Sequence, residues 1–373
     1  MKKHIGRFLL FMLLLSLVPL ANTKAEAQAY CVGVPYGNAV SEQNADASLG
    51  VAGLGKLPAV LTLCRTFDNG LLSEDAQVTV SKHAASIGGP TAFLKPNEVI
   101  AAGELLRAAV MISAGDAITA LMEHAFGSED VFLQNMALTL KSVGVERMMT
   151  DCLGANERFT CRELLKLAEA AAESRAFSAY CGVKYAVLQH ADGRETELAS
   201  ANKLLSSLSG CIGLFTGSSK TDGYCGVFAC KRGGTMFLCA VIGAENSSVR
   251  FQTASRLFEE AFAAYRTVAL CDAETPLAEA YPVQDGDRET IDLYTHESVS
   301  LLLNKRNGDP QPVFDLPDVL TASLDPDFSV GTARFYDGSG TLLCELALFP
   351  GEAVASTGFR ELLKRVLTAY TAG

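Results

Sequence analysis

The sequence predicts an α+β fold in two domains, and three observations carry that expectation. Helix-patterned apolar runs crowd the middle of the chain, where Ile118, Leu121, Met122 and Ala125 recur at i, i+3, i+4 and i+7. Strand-like segments come late: CIGLFTG, GYCGVFAC and TMFLCAVIG, the last two joined by Lys231-Arg232-Gly233-Gly234 as a hairpin would be. From residue 268 onward Pro and Asp become frequent and short strands replace helices. A chain of 373 residues exceeds what one core usually organises, and 49% apolar content is enough for two.

Residues 1–27 have the three regions of a secretory signal peptide: MKKHIGR, an apolar run FLLFMLLLSLVPLA too short to span a bilayer comfortably, and small residues around Ala25, Ala27 and Ala29. Export is therefore expected, with an uncleaved anchor as the alternative. The net charge of −11 becomes more negative still once Lys2, Lys3, Arg7 and Lys24 are removed against Glu26. A strongly acidic exported protein is a poor nucleic-acid binder. The eleven cysteines lack paired C-x-x-C spacing, which argues against a zinc site. Two readings stay open for them: buried free thiols, or a local disulfide between Cys152 and Cys161.

In the larger domain, residues 30–267, Tyr30 to Val40 read as a first edge strand and 59–66 as a buried helix. A helix is expected from Ala102 to Ile112, followed by a turn at Ser113-Ala114-Gly115 and a second helix with Asp116 as its N-cap. Ser128 caps another helix, CRELLKLAEAAAES forms one more, and RFQTASRLFEEAFAAY closes the domain with Ala254, Leu257, Phe258, Ala261 and Phe262 on one face. The smaller domain, 268–357, reads as an antiparallel sandwich of TIDLYT, SVSLLL, VGTARFY and TLLCELALF, the last two joined across Asp337-Gly-Ser-Gly340.

The chemistry concentrates at Gly50-Val-Ala-Gly-Leu-Gly-Lys56. Gly50, Gly55 and Lys56 satisfy the phosphate-loop spacing G-x-x-x-x-G-K, but Leu57 stands where a Ser or Thr must hold magnesium, and Pro58 follows. A different reading comes from NADASLGVAGLGK (44–56), FLKPNE (93–98), LLRAAVMISAGDA (105–117), SANKLL (200–205) and GLFTGSS (213–219), taken in that order. Together they resemble the serine D-alanyl-D-alanine carboxypeptidases, the low-molecular-mass penicillin-binding proteins that trim peptidoglycan stems. That family carries Ser-x-x-Lys, Ser-Gly-Asn and Lys-Thr-Gly.

The resemblance implies a penicillin-binding/β-lactamase-like transpeptidase fold and a site that needs no metal or cofactor. It also implies a damaged site. Gly53 takes the place of the nucleophile, Lys56 keeps that of the base, Ser113 that of the proton relay, and Gly115 replaces an orienting asparagine. In the third motif Phe215 replaces the lysine that faces the substrate carboxylate, while Thr216 and Gly217 are kept; the lost charge-assisted bond is worth roughly 1.5–3 kcal/mol. Ser48 is too far upstream of Lys56 to substitute, and Pro58 disfavours an undisturbed helix beginning at Gly53.

The expectation is an exported, catalytically inactive homologue that binds peptidoglycan stem peptides or a wall-synthesis protein at the outer face of the cytoplasmic membrane or in the wall. Two alternatives are kept: an active carboxypeptidase with an unusual nucleophile, and a structural wall-associated protein. The tail 358–373 is amphipathic, with Phe359, Leu362, Leu363, Val366, Leu367 and Tyr370 on one stripe. By resemblance, 358–371 would touch the membrane peripherally; a helix packed on its own domain is the other reading.

Overall fold

A computed structural model describes residues 27–358. The expected signal peptide and nearly all of the amphipathic tail lie outside those residues. No described helix is long and apolar enough to cross a membrane. The chain divides into two compact units. Among the described residues, one runs through Cys230 and takes in Leu238–Leu257, and the other holds Lys231–Phe237 and 258–358.

The first unit is built on a five-stranded sheet. Its strands are β1 (Ala29–Gly33), β2 (Ala39–Gln43), β3 (Cys211–Ser219), β4 (Gly223–Arg232) and β5 (Thr235–Ala244), in the order β2-β1-β5-β4-β3. Residues 30–40 are thus not a single edge strand: β1 lies inside the sheet, paired antiparallel to both β5 and β2, and β2 forms that edge. The opposite edge is β3. Gly233 and Gly234 both adopt positive φ, 52° and 82°, as a tight β4–β5 hairpin requires.

The helices are α1 (Leu57–Asp68), α2 (Ala102–Ile112), α3 (Gly115–Phe126), α4 (Glu129–Ser142), α5 (Cys161–Glu173), α6 (Arg175–Cys181) and α7 (Ser247–Ala264). Helix α1 is buried on all sides from Leu57 to Cys64, which explains a composition that is apolar except for Thr62, whose hydroxyl donates to the Pro58 carbonyl. Pro58 sits in its first turn, where the missing N–H would have no intrahelical partner in any case. Ser128 accepts from the Val131 amide at the start of α4, and Thr160 with Glu163 forms a capping box at the start of α5.

Asp116 is not the N-cap of α3, because that helix already starts at Gly115. Its carboxylate, almost fully buried, accepts the amides of Ala92 at 2.9 Å, Leu94 at 3.1 Å and Ala117 at 2.8 Å. A short acidic side chain beside a helix start therefore pins the 90–94 loop instead of the helix end. All eleven cysteines are free thiols, Cys152 and Cys161 included, and only Cys211 and Cys344 are less than fully buried.

The second unit has a two-stranded sheet of Tyr265–Cys271 with Val299–Asn304. It also has a six-stranded sheet containing Gly331–Tyr336 and Leu342–Pro350, hydrogen-bonded across the Asp337–Thr341 turn. Leu270 from the first sheet is buried with Ala333, Phe335 and Leu348 from the second, so the two face each other across one core. A second core gathers Val283, Ile291, Leu293, Leu320 and Val354. One pairing departs from the antiparallel expectation: Ala278–Gln284 runs parallel to Leu320–Thr321.

Candidate functional site

Residues Ala52–Lys56 form a 3₁₀ helix that hands over to α1 at Leu57. With three residues per turn, positions 53 and 56 lie on one side of it, so Pro58 does not separate Gly53 from Lys56. This turn packs against β3 at Gly217. A Cβ on Gly217 would stand 2.1 Å from the Leu54 nitrogen and 2.4 Å from the Gly53 carbonyl carbon, so only glycine permits that approach. Gly53 is different. A Cβ there would meet Gly217 Cα at 3.5 Å and the Ser218 nitrogen at 3.8 Å, which is ordinary contact. No steric demand keeps position 53 a glycine.

Lys56 is 8% exposed, and its Nζ donates to the Ser113 carbonyl at 2.9 Å. Burial pulls its pKa below the usual lysine value, and the nearby Asp116 carboxylate opposes this in part. Ser113 closes α2 in the left-handed region, at φ 56° and ψ 38°. That conformation is costly for a serine.

Gly53, Lys56, Ser113, Thr216 and Gly217 line one cleft of about 170 Å³, together with Ser200, Asn202, Leu214, Ser218 and Arg250. Two of the positions singled out from the sequence do not line it. Phe215 is 1% exposed, with its ring 6.4 Å from that of Phe177 inside the core. Gly115 lies behind the cleft, where a Cβ would be 2.8 Å from Ile87 Cγ2, 3.4 Å from Lys56 Nζ and 3.7 Å from Leu153 Cδ1. Ile87 thus occupies room that an asparagine would need.

Sequence reasoning missed Arg250 and Asn202. Arg250 enters the cleft from α7, 4% exposed. Its Nη1 donates to the carbonyls of Gly217 at 3.2 Å and Cys225 at 3.0 Å, and its guanidinium lies over the Phe251 ring. Burial lowers its pKa to about 10, so it stays a cation at neutral pH. The available signal was an arginine near the start of a helix, the end where the macrodipole disfavours cations. Asn202 follows the hairpin strand Glu195–Ala199, and its Oδ1 accepts from the Leu204 amide at 3.1 Å. Two buried donors of cleft-lining residues, Asn202 Nδ2 and Arg250 Nε, have no partner among the described residues. Buried donors are rarely left unpaired, and a ligand oxygen is one ordinary remedy.

An antiparallel sheet with helices packed against it, and a cleft where the lysine at a helix start meets the edge strand, are the layout of the penicillin-binding fold. The chain belongs to the D-alanyl-D-alanine carboxypeptidase family, whose model matches residues 20–246. It is 24% identical to the D-alanyl-D-alanine carboxypeptidase DacF of Bacillus subtilis (strain 168), over 100% of this chain and 99% of that protein. In fold it is similar to penicillin-binding protein 5 of Haemophilus influenzae, with TM-score 0.72, 19% identity, and 89% and 98% of the two chains covered. It is also similar to a peptidoglycan synthesis regulatory factor (PBP3) of Streptococcus pneumoniae, with TM-score 0.67, 19% identity, and 88% and 99% covered.

Proposed function

We propose that this protein is an exported, non-catalytic member of its family that binds the carboxyl-terminal end of peptidoglycan stem peptides. The observation that carries the binding half is the pair of unpartnered buried donors, Asn202 Nδ2 and Arg250 Nε, in the cleft beside Lys56. The Arg250 cation supplies the charge that Phe215 cannot, since Phe215 is held in the core. Strand β3 is an edge, so an extended peptide laid along Leu214–Ser218 has backbone groups to pair with.

The non-catalytic half rests on Gly53. Acyl transfer requires a nucleophilic atom within reach of its base, and glycine provides none. Lys56 can hold and move a proton, and the Ser218 nitrogen lies 3.8 Å from where a Cβ at position 53 would stand, but position 53 carries no hydroxyl. The remaining groups support recognition of a peptide without turnover.

The test pairs two measurements on the mature protein. A pentapeptide ending in D-Ala-D-Ala should bind saturably in calorimetry, while incubation with it releases no D-alanine. Turnover, or a stoichiometric penicillin adduct in intact-mass spectra, would establish the active reading instead. Absence of any saturable binding would leave the site without a peptide ligand and end this proposal.

A further inference from the structure

A second cavity, of about 570 Å³, opens on the helical side of the first unit, between the C-terminal ends of α1 and α3 and the face of α4. It shares no lining residue with the cleft over Lys56. Its volume is in the range that small-molecule sites occupy. No Asp or Glu lines it, although the chain is acidic overall, with 42 carboxylate residues against 31 Lys and Arg.

Arg65 and His124 face this cavity, and neither pairs with a carboxylate among the described residues. Most arginines of the described residues are committed to carboxylates: Arg107 to Glu104, Arg162 to Glu42 and Asp46, and Arg194 to Asp192 and Glu98. Arg65 is not. Its Nη1 donates to the Ser142 hydroxyl at 2.5 Å, which leaves the rest of its donor fork open. His124, also exposed to the cavity, has no hydrogen-bond or ion-pair partner among the described residues. Asn135 turns its Nδ2 to the Val131 carbonyl at 2.8 Å.

The rim is apolar. Leu71 is 78% exposed and Leu138 65% exposed, and both line the opening. The Thr62 and Thr66 hydroxyls are spent on the Pro58 and Thr62 carbonyls of their own helix, so they do not compete for an anion. The cavity presents one guanidinium with donors to spare, one imidazole and two solvent-exposed leucines. It matches a phosphate ester carrying a short hydrocarbon body.

We propose that this cavity is a second ligand site, for an alkyl or acyl phosphate, with Arg65 and His124 holding the phosphate and Leu71 and Leu138 covering the chain. It is independent of the peptide cleft. A soluble phosphate ester and an anionic lipid headgroup present the same chemistry, and the experiment separates them.

Hexyl phosphate is titrated into the full mature protein by calorimetry, with 1-hexanol and inorganic phosphate as the two half-ligands. Saturable binding is expected for hexyl phosphate. It should be at least about tenfold weaker for inorganic phosphate and for hexanol, and weakened by at least about tenfold in Arg65→Gln. His124→Gln and Leu138→Ser should each weaken it by less. Arg65→Gln should leave D-Ala-D-Ala peptide binding unchanged, which separates failure here from failure at the cleft. Co-sedimentation with phosphatidic acid vesicles that depends on Arg65 assigns the ligand to a membrane headgroup; binding of hexyl phosphate without co-sedimentation assigns it to a soluble ester. No saturable binding by the unmodified protein, or equal binding by Arg65→Gln with an unchanged melting profile, would overturn the site.

Discussion

Lys56 and Ser113 are joined by one hydrogen bond, the Lys56 ammonium donating to the Ser113 backbone carbonyl at 2.9 Å. The bond exists because Ser113 adopts the left-handed conformation that ends α2, so a strained serine and a buried lysine are held in one arrangement.

The first prediction follows from that burial. A lysine whose pKa is lowered on folding binds fewer protons folded than unfolded, between its folded-state value and its usual 10.5. Its charge therefore opposes folding fully below the folded-state value, and the opposition fades as pH rises towards 10.5. The stability of the unmodified protein should rise with pH relative to Lys56→Met, which has no such proton. Urea unfolding of both proteins at a series of pH values measures this, and a difference that stays flat or moves the other way would contradict it.

A second prediction concerns Gly53. Because a Cβ there meets nothing closer than 3.5 Å, Gly53→Ser should fold with stability within about 1 kcal/mol of the parent. It should label only slowly with a fluorescent penicillin, and the parent should not label at all. In-gel fluorescence with intact-mass analysis reads both, and rapid stoichiometric labelling of Gly53→Ser would show that the rest of the machinery is intact.

A third prediction corrects what the motifs alone imply about restoring the site. From sequence, adding Gly115→Asn and Phe215→Lys to Gly53→Ser ought to help. Phe215, however, is packed on Phe177 in the core, and Ile87 fills the space beside Gly115. Phe215→Lys should cost at least about 3 kcal/mol, through loss of aromatic packing and burial of a charge. Thermal melts should rank the triple variant well below Gly53→Ser.

These three positions also mark what was legible in the sequence. Order and periodicity placed the helix ending at Ile112, the Ser128 cap and the late hairpin, because each depends on neighbours along the chain. Lys56, Ser113 and Thr216, grouped only by the family resemblance in the sequence, line one cleft. Asp116 was misjudged as a cap because its partners, Ala92 and Leu94, are tertiary neighbours. Arg250 and Asn202 were missed for the same reason: a donor's lack of a partner is a property of the packed structure.

A fourth prediction rests on Arg250. Arg250→Gln should weaken binding of a D-Ala-D-Ala pentapeptide by roughly 1.5–3 kcal/mol, about 10- to 150-fold. Arg250→Lys should recover part of that loss, since charge returns without the planar fork. Calorimetric titration checks both, and equal affinity in all three proteins would remove Arg250 from the site.

A fifth prediction narrows the processing site. The Gln28 amide donates to the Gly243 carbonyl and its own carbonyl accepts from Asn44, while Ala29 pairs with Ile242 in the sheet. Cleavage after Ala29 would remove those bonds, so cleavage after Ala27 is expected. Mass spectrometry of the mature chain should show Gln28 first, and a chain starting at Tyr30 would refute it.

The eleven unbonded cysteines bear on how this protein would be lost as well as on how it folds. Burial raises most of these thiols far above their usual pKa and keeps them inert while the fold is closed; Cys64 and Cys239 are among the most deeply enclosed. Unfolding exposes them as ordinary reactive thiols, open to random cross-linking in oxidising surroundings. Survival time is set by how rarely the chain opens, so heating scans should depend on scan rate and become reversible only with a reductant present.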